Sequence, residues 1–185
     1  DAFCAAHGIT RIPNPKKYLP RFNGVLNLGL FSFDAIRASL WKLLKILHIK
    51  AGILIKGKRL ERFNAADIVL DFNGDIFPSD ISALIALAQA LEIITIKQLG
   101  KPVIEFVSSP GPFNTWFRRT VAKLTYGNID LFLNREAISS ELLKQIGMKK
   151  PIVTTACPAF LLEPASPERG REILANEGVD IASRP

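Results

Sequence analysis

The sequence predicts an α/β fold: a Rossmann-like, doubly wound and mostly parallel sheet forming one half of a glycosyltransferase-B type arrangement. Two observations carry the class. Short β-like runs alternate with helical patterns along most of the chain. Glycines punctuate the ends of those helical patterns at Gly100, Gly127 and Gly147.

Taken in order, Ile9–Ile12 reads as a first short strand, closed by Pro13 and Pro15, and residues 13–31 read as an irregular connection. A helix fits Phe33 to about His48, with Ile36, Leu40, Leu43, Leu44 and Leu47 on one face and Arg37, Lys45 and His48 mostly on the other. A short helix fits Arg59–Phe63, and Ala66–Asp71 reads as a buried strand. Ser79 or Asp80 suits the cap of a helix running to about Gln98. Val103–Val107 follows as a strand, then a helix from Asn114 or Thr115 to about Tyr126. Ile129–Leu133 is the next strand, residues 136–146 the next helix, and Pro151–Thr154 the last clear strand. Past Leu162 no strand is visible, and helical character returns only around Glu168–Asn176.

Composition narrows the class of function. A chain of 185 residues with 48% hydrophobic and 22% charged residues is an ordinary globular protein. Its apolar runs are broken by Lys or Arg well short of the ~18 residues a membrane span needs. Lys and Arg outnumber Asp and Glu by 24 to 17, a formal charge of +7, which suits anionic partners. No helix-turn-helix, RRM or zinc-finger pattern accompanies the charge, so nucleic acid is not an expected partner. Cys4 and Cys157 form no metal-binding cluster, and a reducing compartment is the simplest reading of two separated cysteines. No GxGxxG follows a strand and no ligand cluster exists, so neither a cofactor nor a metal is expected. The start, "DAFCAAHGIT", has no signal-peptide pattern and no initiating Met, and is read as the interior of a longer protein.

Three strand-end loops carry the chemistry: "DFNGDIF", "SSPGPF" and "NREAISS". In a doubly wound sheet they share the carboxyl edge, where ligands bind. Asp75, in the turn Asn73-Gly74-Asp75, stands where a carboxylate acts as a base or holds a hydroxyl; turn formation alone also accounts for it. Ser108, Ser109 and Gly111 offer hydroxyls and backbone N–H groups to an anion, or simply shape a proline turn. Arg135 suits a carboxylate or phosphate through parallel hydrogen bonds, and an ion pair with Glu136 that pins the loop is an equal reading. The helix from Phe33 also carries Trp41 and a basic stripe of Arg37, Lys42 and Lys45. Such a surface either lies on an anionic membrane or is an ordinary solvated face.

Together these segments resemble the polysaccharide pyruvyl transferases. "ADIVLDFNGDIF" is similar to their strand and Gly-Asp loop, and "GKPVIEFVSSPGPF" to their Gly-Lys-Pro-Val strand with its Gly-Pro-Phe turn. "IDLFLNREAISSELLKQIGM" is similar to their strand ending in Arg-Asp/Glu, and "PIVTTACPAFLLEP" to their Thr-Ala-Asp-Pro-Ala-Phe-Leu-Leu segment. The resemblance spans roughly residues 64–164. Phe72 and Asn73 replace common glycines, and Cys157 replaces the usual Asp.

The resemblance implies transfer of a pyruvyl group from phosphoenolpyruvate to a sugar of a cell-surface polysaccharide or its lipid-linked precursor. It casts Asp75 and Arg135 as catalytic, with Asn73, Gly74, Ser108, Ser109, Gly111 and Glu136 contacting substrate. Residues 1–163 become the acceptor-side domain, lacking its first strand, and 164–185 lead towards a second domain outside the sequence. A cytoplasmic enzyme is implied, peripheral to the inner membrane face and inactive as this piece alone. Two rival readings are a nucleotide-sugar glycosyltransferase of the same architecture and a non-catalytic membrane-associated domain.

Overall fold

The structure is a computed structural model that describes residues 5–10, 23–72, 83–164 and 166–178. Four parallel strands form one sheet in the order β1 (Val69–Asp71), β2 (Val103–Ser108), β3 (Leu131–Asn134) and β4 (Ile152–Thr154). Helices α1 (Asn23–Ile46) and α2 (Lys58–Ala65) precede the sheet. The crossovers are α3 (Ala83–Gln98), α4 (Trp116–Tyr126) and α5 (Ala137–Gln145), and α6 (Pro167–Asn176) follows. This is the expected α/β class, a parallel sheet flanked by helices as in a Rossmann-like fold.

Register decides which residues meet the helices. Val69, Val103, Phe132 and Ile152 fall on one face, because Val69 pairs with Val103, Glu105 with Phe132, and Phe132 with Ile152. Val103 and Phe132 are fully buried in one core with Ile93 and Ile96 of α3, Val121 and Tyr126 of α4, and Leu143 of α5. All three crossover helices therefore cover this one face, as right-handed connections between strands taken in sequence order require. Leu70, Ile104, Phe106, Leu131, Leu133 and Val153 occupy the opposite face and are half-buried or exposed.

The helix ends follow local chemistry. Thr115 caps α4 by accepting from Arg118 N at 3.2 Å. Gly147 ends α5 at φ +84°, a left-handed turn that lets Met148 N reach Leu143 O at 3.1 Å.

α1 differs from expectation in two respects. α1 begins at Asn23, where an irregular connection was expected. Its orientation also differs: Ile36, Leu40, Leu43 and Leu47 are exposed, while Phe31, Asp34, Ala35 and Ala38 are buried. The reason lies in what α1 packs against. It lies chiefly on α3, itself apolar all round, with Ala86, Ala88 and Ala90 buried. Small side chains from both helices allow a close seam. An ionic hub completes it: Arg59 of α2 pairs with Asp34 of α1 at 3.2 Å and with Glu92 of α3 at 2.9 Å. The same guanidinium lies 3.9 Å from the Phe31 ring centroid. Burial raises the Asp34 carboxyl above its ordinary pKa, and Arg59 and Arg37 pull it partly back.

Candidate functional site

The carboxyl ends of β2, β3 and β4 share one edge of the parallel sheet, and their side chains are stitched together there. Arg135, just past β3, donates from Nε to the Ser109 hydroxyl at 2.9 Å and from Nη2 at 2.6 Å. Its backbone N donates to Ser108 O at 3.1 Å, so the second and third strand-end loops are joined by main chain and side chain alike. The structure thus brings Ser108, Ser109 and Arg135 together. The Glu136 carboxylate accepts from Ser139 Oγ at 2.8 Å, at the start of α5. Asn73, Gly74 and Asp75 lie outside the described residues.

Gly111 shapes the second loop. It stands at φ +100°, and a Cβ there would meet Leu142 Cδ1 at 2.8 Å. Glycine suits both this backbone and the approach of the Leu142 side chain from α5. Val107 also has a left-handed φ, +56°, where the β2–β3 register shifts between Phe106 and Ser108. A β-branched residue seldom adopts this conformation, so the strand end holds local strain beside the loop. The resulting bulge re-aims Ser108 and Ser109 relative to the strand.

A second polar layer escaped sequence reasoning. Fully buried Asn134 donates from Nδ2 to Ser140 Oγ at 3.1 Å, and Ser140 shares a 2.8 Å hydrogen bond with Thr154 Oγ1. Thr155, just past β4, joins this layer, its N donating to Asn134 O at 2.7 Å. Asn134 looked like an ordinary loop residue because nothing in one sequence shows that β3 extends through it. Its adjacency to Arg135 at a strand end was the only available signal.

Glu105 was missed as well. It is fully buried in mid-strand, directly across from Asp71, and neither carboxylate oxygen has a hydrogen-bond partner. Burial pushes its pKa well above the ordinary carboxylate value, and the nearby Asp71 pushes the same way. The Ser108 hydroxyl pulls it part of the way back, although the geometry falls short of a good hydrogen bond. Burial likewise raises the Tyr126 hydroxyl, followed by the Glu105 and Asp71 charges. A glutamate inside a strand otherwise rich in Val, Ile and Phe is a visible anomaly, and the period-2 pattern places it on the Val103 face.

The edge therefore carries a half-buried guanidinium held by the Ser109 hydroxyl, beside a buried layer of hydroxyls and an amide. This arrangement suits oxygen-rich, anionic ligands. Among the described residues, no group of three or more His, Cys, Asp or Glu side chains is placed to hold a metal. Fold and edge together define an α/β protein with a polar carboxyl edge on a parallel sheet.

The family is shown directly. A family model described as polysaccharide pyruvyl transferase matches residues 13–185, and the chain belongs to that family. The match reaches well before residue 64 and past residue 164, beyond the segments in which the resemblance was visible by eye. Searches of curated proteins and of solved structures return no significant match.

Proposed function

We propose that the intact protein transfers the pyruvyl unit of phosphoenolpyruvate to a sugar of a cell-surface glycan or its lipid-linked precursor, with this chain as the acceptor-side wall of the cleft. The observation that supports the reading best is the Arg135–Ser109 clasp, which joins two strand-end loops in a member of a pyruvyl transferase family.

The chemistry asks for a cation and for proton transfer. In ketal formation, C3 of the donor gains a proton, two acceptor hydroxyl oxygens bond to C2, and the bond from C2 to the phosphate oxygen breaks. Of the two hydroxyl protons released, one balances the proton taken up at C3 and the other leaves with inorganic phosphate. The Arg135 guanidinium, turned by Ser109, would hold the donor's carboxylate or phosphate. Ser108 and Gly111 belong to the loop that accepts the anion, and Glu136 fixes the start of α5 through Ser139. Asp75 is assigned to proton transfer, and Asn73 and Gly74 to substrate contact.

The test uses the intact protein with phosphoenolpyruvate and a panel of free and lipid-linked glycans, following phosphate release and glycan mass. A glycan that gains a carboxyethylidene group supports the proposal, and turnover of a nucleotide sugar instead would overturn it. Arg135→Ala should then lower kcat/KM by about 100-fold or more. Ser109→Ala should cost roughly tenfold, because the guanidinium loses its orienting partner but keeps its charge. Unchanged kinetics in both variants would remove the clasp from the mechanism.

A further inference from the structure

α1 ends in a turn that leaves its cations unclaimed. The chain reverses through His48 at φ +59°, and Leu47 N, His48 N and Ile49 N bond to Leu43 O, Lys45 O and Leu44 O at 3.1, 3.0 and 2.8 Å. Lysines near a helix C-terminus often serve the last carbonyls, but here the main chain has taken them. Lys45 instead lies beside Trp41, one turn earlier, with Nζ 4.9 Å from the ring centroid. The 3₁₀ turn Gly52–Ile55 then packs back against α1.

The end of α1 and the returning chain border an open cavity of about 470 Å³. That size falls within the roughly 300–1,000 Å³ typical of small-ligand sites. Trp41, Ile49 and Ala51 supply its apolar lining, and Lys45, His48 and Lys50 its polar lining. No acid lines it. Asp34 is the only acid from Asn23 to Leu60, and it is buried against Arg37 and Arg59. Neither Lys45 nor Lys50 has a carboxylate partner among the described residues, and both are exposed.

We propose that this cavity binds a phosphate ester. Lys45 and Lys50 hold the phosphate, His48 adds a ring N–H, and the organic group lies along Trp41 and Ile49. Two ammonium groups without a counterion attract an anion, and their shape selects which one. A carboxylate is best matched by the flat fork of an arginine, and no arginine lines the cavity. A lysine ammonium is a compact point charge that suits a tetrahedral, multiply charged phosphate. Inorganic phosphate alone would leave the apolar lining in water, so an ester fits better. The cavity shares no residue with the Arg135–Ser109 clasp, and the proposal is independent of the transfer reaction.

The experiment is isothermal titration calorimetry of the 185-residue chain at low salt with glucose 1-phosphate, farnesyl phosphate, inorganic phosphate and acetate. At least one ester should bind about fivefold or more tightly than inorganic phosphate, with acetate weaker still, and binding should weaken as salt rises. The better ester shows whether the organic group is a sugar or a lipid. In a Trp116→Phe chain Trp41 is the sole tryptophan, and its fluorescence should follow the same titration. Lys45→Glu with Lys50→Glu should weaken ester binding by about tenfold or more. Gly52, also at the cavity, lies outside the left-handed region, and a Cβ there meets nothing within 4 Å. Gly52→Glu should therefore weaken binding as well, which tests the site even if the lysine variant misfolds. Arg135→Ala should leave this binding unchanged. The proposal is overturned by no ester binding, by esters no tighter than inorganic phosphate or acetate, or by binding that Arg135→Ala removes and both cavity variants keep.

Discussion

At Gly111 two separate constraints meet in one residue. The left-handed φ of +100° disfavours side chains, and a methyl group there would make the end of the Leu142 side chain, 2.8 Å away at Cδ1, shift. Gly147 shares the left-handed backbone, but a Cβ there would meet nothing within 4 Å. Gly111→Ala should therefore cost about 2–3 kcal/mol, and Gly147→Ala only about 1 kcal/mol. Urea unfolding of the two variants checks this, and equal losses would mean that the contact with Leu142 yields freely. Much at this scale was legible in the sequence. Proline and glycine in "SSPGPF" announced a shaped turn, while the pairing of Ser109 with Arg135 was not anticipated. Register across the sheet brings Ser109 to Arg135, a contact that adjacency in sequence does not suggest. Glu105 and Asn134 were overlooked because burial, which gives them their interest, is a property of the packed sheet.

Among the elements, α1 shows where periodicity runs out. Its pattern identifies a helix correctly but carries two stripes, one of large apolar residues and one of Phe31, Asp34, Ala35 and Ala38. Hydrophobicity alone assigns the larger stripe to the core, yet the smaller one fits the alanines of α3. The deciding interaction is the hub at Arg59, whose partners Asp34 and Glu92 lie 25 and 33 residues away. Pairing at that distance has no signature in a single sequence. The hub yields a prediction for the seam. Arg59→Met keeps the apolar stem against Phe31 but leaves Asp34 buried without its nearest cation, which should destabilise by about 2–4 kcal/mol at neutral pH. Adding Asp34→Asn should recover a large part of that loss, because the orphaned charge is gone. A double-mutant cycle by urea denaturation measures the coupling, and strict additivity would mean that the seam does not depend on the pair.

For the whole molecule, ionisable groups of opposite behaviour are built into one sheet. Asp130, ahead of β3, is first pushed up by partial burial. A 2.7 Å hydrogen bond from Lys97 Nζ, another from Val103 N, and the charges of Lys97 and Lys150 outweigh that and bring its pKa below the ordinary value. Its contribution to stability is present above the unfolded pKa and fades as pH falls through the lowered one. Glu105 runs the other way. Below its ordinary pKa of 4.5 the carboxyl is protonated in both the folded and unfolded chain and adds no pH dependence. As pH rises past that value, the unfolded chain releases the proton while the folded one retains it, so stability declines. Glu105→Gln removes the titration with little change of shape. The variant should match the parent near pH 4 and exceed it by about 2 kcal/mol near pH 8, since burial without a partner penalises only the charged form. Urea melts across that range decide the matter. A gap that stays constant or shrinks with rising pH would mean that Glu105 finds an ionic partner, and that the strand carries its charge without penalty.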